Sequence, residues 1–294
     1  MFKKILFATS ITSACDPAAR VAFNITGLYG AQMSIFHVIE TKGPGDAAIG
    51  VDEKSIPGVK ETTSAYYADY LSKTDNCDIK TAFGNPCSEI LKEIRTNTPD
   101  LLVMGVSTRG EEGLENAIKN TGSSFQKIVK ASICPVLIVN RPAASFWGDI
   151  SNIVFATDFS KTSDMAFDFA YTLAKKAKCE FHIFHAQNVS LTPGSKEFDQ
   201  NSIEERRREK LSFSKKKYVS KMEGIGNYSI EVWEGSPYIE IVKYAREKYA
   251  DLIVVAQDSK NPGSENDELG STVKQVILRA GCPVLCMNKL KSLQ

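Results

Sequence analysis

The 294-residue chain predicts an α/β fold of doubly wound parallel sheets, built twice in tandem. Three observations carry that expectation: an internal repeat along the whole chain, short apolar strand-like runs in each copy, and helical apolar stripes between those runs. The repeat is ordered. Ile5-Leu6-Phe7-Ala8-Thr9 reappears as Ile153-Val154-Phe155-Ala156-Thr157, an offset of 148 residues. His37 and His185, Gly122-Ser123 and Gly270-Ser271, and Cys134-Pro135-Val136-Leu137 and Cys282-Pro283-Val284-Leu285 keep that offset. Between them, Gly84-Asn85-Pro86 matches Gly235-Ser236-Pro237, and Asp100-Leu101 matches Asp251-Leu252, at an offset of 151. Duplication follows, with domains expected at 1–145 and 149–294 and a turn-rich linker near Pro142 to Asp149.

Within the first copy, apolar runs at Lys4–Thr9, Met33–Val38, Leu101–Gly105 and Val136–Val139 read as buried parallel strands. Ala18, Val21, Ala22, Ile25 and Leu28 recur at helical spacing between the first two. Ile90, Leu91 and Ile94 mark a second helix with Pro86 near its first turn. In the second copy Ala166, Phe169, Ala170, Leu173, Ala174 and Ala177 form one stripe. Sheets of this kind bind ligands at the carboxyl ends of their strands, where strand order reverses.

Composition removes several functions. A net charge of +1 gives no global pull toward nucleic acid or anionic lipid. No apolar run approaches the roughly 20 residues of a membrane span. Met1 to Cys15 has a superficial likeness to an export signal, but Ile153 to Thr157 repeats its apolar part in mid-chain, so a strand and a cytoplasmic protein are expected. The seven scattered cysteines suit small buried hydrophobes in a reducing compartment, and His182 and His185 lack partners for zinc. Residues 204–221 are basic, but interleaved Glu204, Glu205 and Glu209 and a stripe of Leu211, Tyr218, Val219 and Met222 read as a solvated helix face, so no nucleic-acid partner is expected.

Two loops have the chemistry of a phosphate cradle. The first runs from Gly105 through Arg109, Gly110 and Gly113 to Gly122-Ser123-Ser124, and the second from Ala256-Gln257 through Gly263 to Gly270-Ser271-Thr272. Each opens a helix. Glycine allows close backbone approach, and a helix N-terminus offers unpaired N–H groups with partial positive charge. The competing reading is a plain N-cap, contributing about 1 kcal/mol. Glu111-Glu112 stand where a P-loop needs Lys and Ser or Thr, so this is no P-loop.

These residues together resemble the universal stress protein family, in its tandem-domain form. The carriers are Ile153 to Asp158, Trp233 to Pro237, Asp251 to Val255, Gly263-x6-Gly270-Ser271 and Cys282 to Leu285, with parallels at Ile5 to Ser10, Phe83 to Pro86, Asp100 to Gly105 and Gly122-Ser123. The resemblance implies two domains, each a five-stranded parallel sheet flanked by helices, paired through their last strands as an intrachain pseudo-dimer, with a homodimer as a further expectation. It also implies ATP, with Mg2+, as the ligand and unknown regulatory proteins as partners; haem, flavin and zinc are not expected. The family's aspartate after the first strand corresponds to Asp158, whereas Ser10 stands there in the first copy. Ala256 replaces the first loop glycine of the second copy, and the first copy's loop is longer. The binding set expected in the second copy is Thr157, Asp158, Ala256, Gln257, Gly263, Gly270, Ser271 and Thr272. Its counterpart is Thr9, Ser10, Gly105, Gly110, Gly122, Ser123 and Ser124, with the second copy as the main site. No catalytic arrangement is readable, so a binding protein is expected first, a nucleotide-independent scaffold with degenerate loops second and slow ATP hydrolysis third.

Overall fold

Strand β1 (Lys4–Thr9) faces two cores. Ile5 and Phe7 join one apolar cluster while Leu6 and Ala8 join the other, as the two-residue period of a strand dictates. Strand β6 (Asn152–Ala156) repeats the arrangement with Ile153 and Phe155 on one side and Val154 and Ala156 on the other. Both are therefore apolar from their second residue to the alanine, which is why they stood out in the sequence. The computed structural model describes residues 1–40, 56–106, 124–140, 150–188, 200–257 and 269–288.

The first half continues through β2 (Gln32–Glu40), β3 (Cys77–Gly84), β4 (Leu101–Gly105) and β5 (Val136–Val139), the second through β7 (Glu180–Gln187), β8 (Tyr228–Glu234), β9 (Leu252–Gln257) and β10 (Val284–Asn288). Helices α1 (Asp16–Tyr29) and α6 (Lys161–Ala177) cover one face. Helices α4 (Pro86–Asn97), α5 (Ser124–Ala131), α8 (Pro237–Glu247) and α9 (Ser271–Arg279) cover the other. Helices α2 (Ile56–Tyr66), α3 (Ala68–Leu71) and α7 (Gln200–Tyr218) lie between the second and third strands of their halves.

The expected five parallel strands in each half and their pairing through the last strands are found, but the halves do not form two distinct sheets. There is one continuous ten-stranded sheet, in the order β3-β2-β1-β4-β5-β10-β9-β6-β7-β8. It is mixed, because β5 and β10 pair antiparallel, with Leu137 opposite Leu285. Separate sheets would each leave a fully buried, apolar strand as an open edge, and pairing the two satisfies both rows of backbone groups. The join is clamped from both sides. Asn140 Nδ2, just past β5, donates to Leu278 O at 3.0 Å, and Asn288 Nδ2, 148 residues on, donates to Ser132 O at 3.0 Å and to Val129 O. Each asparagine thus serves carbonyls left over at the end of a helix from the other half.

Other expectations shift locally. Strand β2 is longer than Met33–Val38, so His37 and His185 lie inside their strands rather than at the ends. Strands β3 and β8 are edge strands; β3 is half-buried along its whole length, leaving no apolar run to read. Leu28 is 62% exposed and Val219 is 40% exposed, so neither belongs to its expected stripe, whereas Tyr218 and Met222 are buried. All seven cysteines are free and five are buried. Among the described residues no helix is long and apolar enough to cross a membrane, and no metal-holding cluster of His, Cys, Asp or Glu occurs.

Candidate functional site

The loops after β1 and β6 are built alike. Thr9 Oγ1 meets the Tyr67 hydroxyl at 2.7 Å and accepts from Ile11 N at 3.1 Å. Thr157 Oγ1 meets the Tyr218 hydroxyl at 2.8 Å and accepts from Phe159 N at 2.9 Å. Ile11 and Phe159 both take positive φ, 57° and 64°. Below them His37 Nδ1 donates to Thr9 O at 2.9 Å and His185 Nδ1 donates to Thr157 O at 2.8 Å, which fixes the ring tautomer and leaves Nε2 as an acceptor. Burial lowers the pKa of His185 from 6.5, against the pull of the Thr157 bond, so that ring is neutral at pH 7. Phe159 packs on His185 at 4.4 Å, covering a ring face that a base would otherwise use. The two threonines therefore hold the loops in shape, with their hydroxyls engaged inside the protein.

One residue later the halves diverge. Asp158 is exposed and its Oδ1 accepts from Ser160 N at 2.9 Å and Ser163 Oγ at 2.5 Å. Desolvation pushes its carboxyl up, but the bonds from Ser163 and Ser160 outweigh this and hold it below the usual 3.8, so it is ionised at neutral pH. In the first half Ser10 Oγ lies 3.0 Å from Thr12 Oγ1 and 3.3 Å from Cys15 Sγ. Cys15 sits where Ser163 stands in the repeat, a weak donor replacing a strong one. Neither Ser163 nor Tyr67 was singled out from sequence, and Tyr218 was read only as part of a packed helix stripe. The signal was there, since Tyr67 and Tyr218 keep the 151-residue offset through otherwise dissimilar helices.

Strand order reverses between β6 and β9 in the second half, and these neighbours are paired with Ala156 opposite Val255. Gln257 ends β9 and Asp158 lies two residues past β6, so both stand at the carboxyl ends of paired strands, where open α/β sheets bind ligands. Gln257 is buried, and its Oε1 accepts from Gly270 N at 3.3 Å. Gly270 is the N-cap of α9 and supplies no side-chain cap, while Ser271 is exposed in the first turn and Thr272 is half-buried. A Cβ on Gly270 would lie 3.3 Å from Gln257 Oε1, so the glycine is matched to a tight approach. Ala256 is half-buried and packs against the core. Gly263 lies outside the described residues.

In the first half a cavity of about 190 Å³ opens at the strand ends, lined among others by Thr9, Ser10, Cys15, Phe36, Ile90 and Gly105. That is below the roughly 300 Å³ at which pockets enclose drug-sized ligands, so these residues alone would cradle only part of a nucleotide. Ser124 is the first residue of α5. Arg109, Gly110, Gly113, Gly122 and Ser123 lie outside the described residues.

The G-[Asn/Ser]-P repeats have a structural role. Gly84 and Gly235 take φ of 139° and 140°, turning β3 into α4 and β8 into α8. Asp100 Oδ2 accepts from Lys3 N and Lys4 N at 2.7 and 2.9 Å, and Asp251 Oδ2 from Ser151 N and Asn152 N at 2.6 and 2.9 Å. Both carboxylates lie at the amino end of the sheet, away from the candidate site.

Comparison with known proteins agrees with this architecture. Residues 1–140 and 150–288 each match the model of the Universal stress protein family. A universal stress protein of Methanocaldococcus jannaschii is 35% identical over 144 residues, 47% of this chain and 82% of that protein. The crystal structure of a universal stress protein from Archaeoglobus fulgidus superposes with a TM-score of 0.67 at 22% identity, covering 97% of this chain and 96% of the other. A functionally unknown protein from Pseudomonas aeruginosa gives 0.66 at 17% identity, covering 98% and 93%. The two structures share the fold; the duplicated family match, covering both sets of strand-end loops, shows that this chain belongs to the universal stress protein family.

Proposed function

We propose that this chain binds an adenine nucleotide, ATP with Mg2+, at the carboxyl ends of its strands, mainly in the second half. Bound nucleotide then alters its association with itself or with a regulatory protein. The observation supporting this reading is the pairing of β6 with β9, strands whose carboxyl ends lead to the ionised Asp158 and to Gln257, which accepts from Gly270 N at the opening of α9. Asp158 suits a ribose hydroxyl or a metal ion, and the first-turn amides of α9, with Ser271 and Thr272, suit phosphate. Binding without turnover is part of the proposal, since the sequence carries no readable catalytic arrangement.

Calorimetry and thermal melting of the whole chain with Mg-ATP test it. A ligand at 100 times its Kd stabilises by about 2.7 kcal/mol, visible as a raised melting temperature. Asp158→Ala should abolish most of that gain. Absence of heat and of any melting shift at saturating ATP would sink the proposal, and undiminished binding by Asp158→Ala would move the site to the first-half cavity. Phosphate release that disappears on replacing loop residues would argue for hydrolysis instead. A second reading, a nucleotide-independent scaffold, is favoured by the Gly270 N–H already being held by Gln257. ATP retained through purification would exclude it.

A further inference from the structure

The near-neutral net charge argues against a nucleic-acid partner for the chain taken whole, but the charge is unevenly placed. Residues 200–221, α7 and the turn after it, carry eight Lys and Arg against three Glu in a protein of net charge +1. The matching helix of the first half, α2, carries Lys60 and Glu61 alone. We infer that α7, with the rings beneath it, is a landing surface for single-stranded nucleic acid.

Lys210, Phe213 and Lys217 share one face of α7 by their spacing of three and four residues, and that face lies over Phe159. Phe213 meets Phe159 edge-on at 5.1 Å, and Phe159 in turn rests on His185 at 4.4 Å. Lys210 Nζ lies 5.8 Å from the Phe159 ring centre and Lys217 Nζ 5.9 Å from that of Phe213. Lys217 is fixed by Asp164 at 2.8 Å and by donation to Phe159 O at 3.0 Å, which ties the helix to the rest of the domain. Phe213 is 49% exposed, and Lys210 and Lys216 are exposed. The result is a supported column of rings with an open outer member and cations on either side. At the repeat-related positions of the first half stand Ile11, Val59, Thr62 and Tyr66, which keep one exposed ring but neither of the cations nor the Phe159–Phe213 pair.

Rings beside cations fit a strand of unpaired bases, each offering a stacking face and a phosphate. An anionic membrane fits less well, because α7 has exposed Arg207, Arg208 and Lys215 around its remaining surface and no apolar stripe to sink into lipid. An acidic peptide would use the cations and leave the rings idle. Phe159 follows Asp158 in the chain, so this surface adjoins the second-half strand-end site, whereas the first-half cavity, lined by Phe36, Ile90 and Met104, lies elsewhere.

Fluorescence anisotropy of the full chain with a labelled 20-nucleotide oligouridylate tests the inference. Binding is expected to weaken steeply with added salt. The pair Lys210→Glu with Lys216→Glu should weaken it about tenfold or more, as loss of phosphate contacts predicts. Phe213→Ala should weaken it with little change in salt dependence, because stacking releases no counterions. Lys60→Glu in the first half should leave it unchanged. Lys60, Lys210, Phe213 and Lys216 are all exposed, and unaltered melting temperatures would show that the variants fold. Unchanged binding by Asp158→Ala separates this surface from the nucleotide site. No binding by the wild-type chain, equal binding of polyglutamate, of phosphatidylserine vesicles or of blunt duplex, or indifference to the Lys210 and Lys216 pair would overturn it.

Discussion

The two halves keep one backbone plan and differ in what fills it. Around β2, β3 and α4 of the first half, Ser34 donates to Asp78 at 2.6 Å and Lys80 pairs with Glu93 at 2.9 Å, leaving a cavity of about 110 Å³. The repeat-related positions of the second half are His182, Ser229, Glu231 and Tyr244. There His182 Nδ1 meets Ser229 Oγ at 2.7 Å, Ser229 Oγ meets the Tyr244 hydroxyl at 3.1 Å, and Lys248 pairs with Glu231 at 3.1 Å. Trp233 and Phe184 pack on the Tyr244 ring at 5.2 and 4.3 Å. Small and charged side chains leave room where rings close it. The lesson is that duplication preserved hydrogen-bond positions that hold the fold, the Thr–Tyr pairs and the strand-clamping aspartates, while chemistry between them drifted.

The largest expected effect comes from the tyrosine pair. Tyr218 is fully buried among Phe155, Phe159 and Phe167, and Tyr67 among Phe7, Phe23 and Tyr66. Truncation of either to alanine should cost about 3–5 kcal/mol in urea unfolding, as for other buried aromatic residues. Equal losses would confirm equivalent roles, and a loss below 1 kcal/mol at either would break the comparison.

Next come the turn glycines. A Cβ on Gly235 would come within 2.7 Å of Glu240 Oε1, whereas one on Gly84 meets Glu89 no closer than 3.4 Å. Both take positive φ, so alanine strains each by about 1–3 kcal/mol. Gly235→Ala should be the worse of the two by chemical denaturation. The reverse order would show that the Glu240 side chain yields freely.

The asparagine clamps should give a smaller difference. Asn288→Ala should destabilise by about 1–3 kcal/mol, since it strands carbonyls of α5 in a buried place. Asn140 is half-buried, so Asn140→Ala should cost less. Differential scanning calorimetry would check this, and equal losses would make the join symmetrical.

The mildest effect is on pH. Burial lowers the pKa of His182 from 6.5; Glu180 and Glu231 oppose this and Lys248 adds to it. The native ring is then neutral where the unfolded chain already takes up a proton, so the unfolded state binds more protons as pH falls below 6.5. Stability from this group is complete above pH 6.5 and is lost as pH falls from there toward the native pKa. Trp233 emission, followed in a Trp147→Phe background, should therefore report earlier melting at pH 5 than at pH 7. His182→Gln should flatten that trend, and an unchanged slope would remove His182 from the account.

The strands buried on both faces were legible because a buried strand is apolar where it is buried, as β4 and β5 are throughout and β1 and β6 are over Ile5 to Ala8 and Ile153 to Ala156. Edge strands β3 and β8 mix charge and apolar residues, so they went unread although their closing Gly-x-Pro turns were seen. At the candidate site the sequence singled out Asp158, Gly270 and Ser271, and of these Asp158 follows β6 while Gly270 N bonds to Gln257 at the end of β9. It gave no sign that Gln257 reaches Gly270 N or that Thr157 serves Tyr218, because these contacts join residues 13 and 61 positions apart.

The repeat, the helix stripes and the interior strands follow from local pattern, since side-chain period and apolarity act over a few residues. The antiparallel register that fuses the halves into one ten-stranded sheet, the crossed asparagine clamps and the packing of Phe159 between His185 and the rings of α7 were settled only by tertiary structure. Each depends on segments far apart in the chain meeting in space, and no short stretch of sequence encodes that meeting.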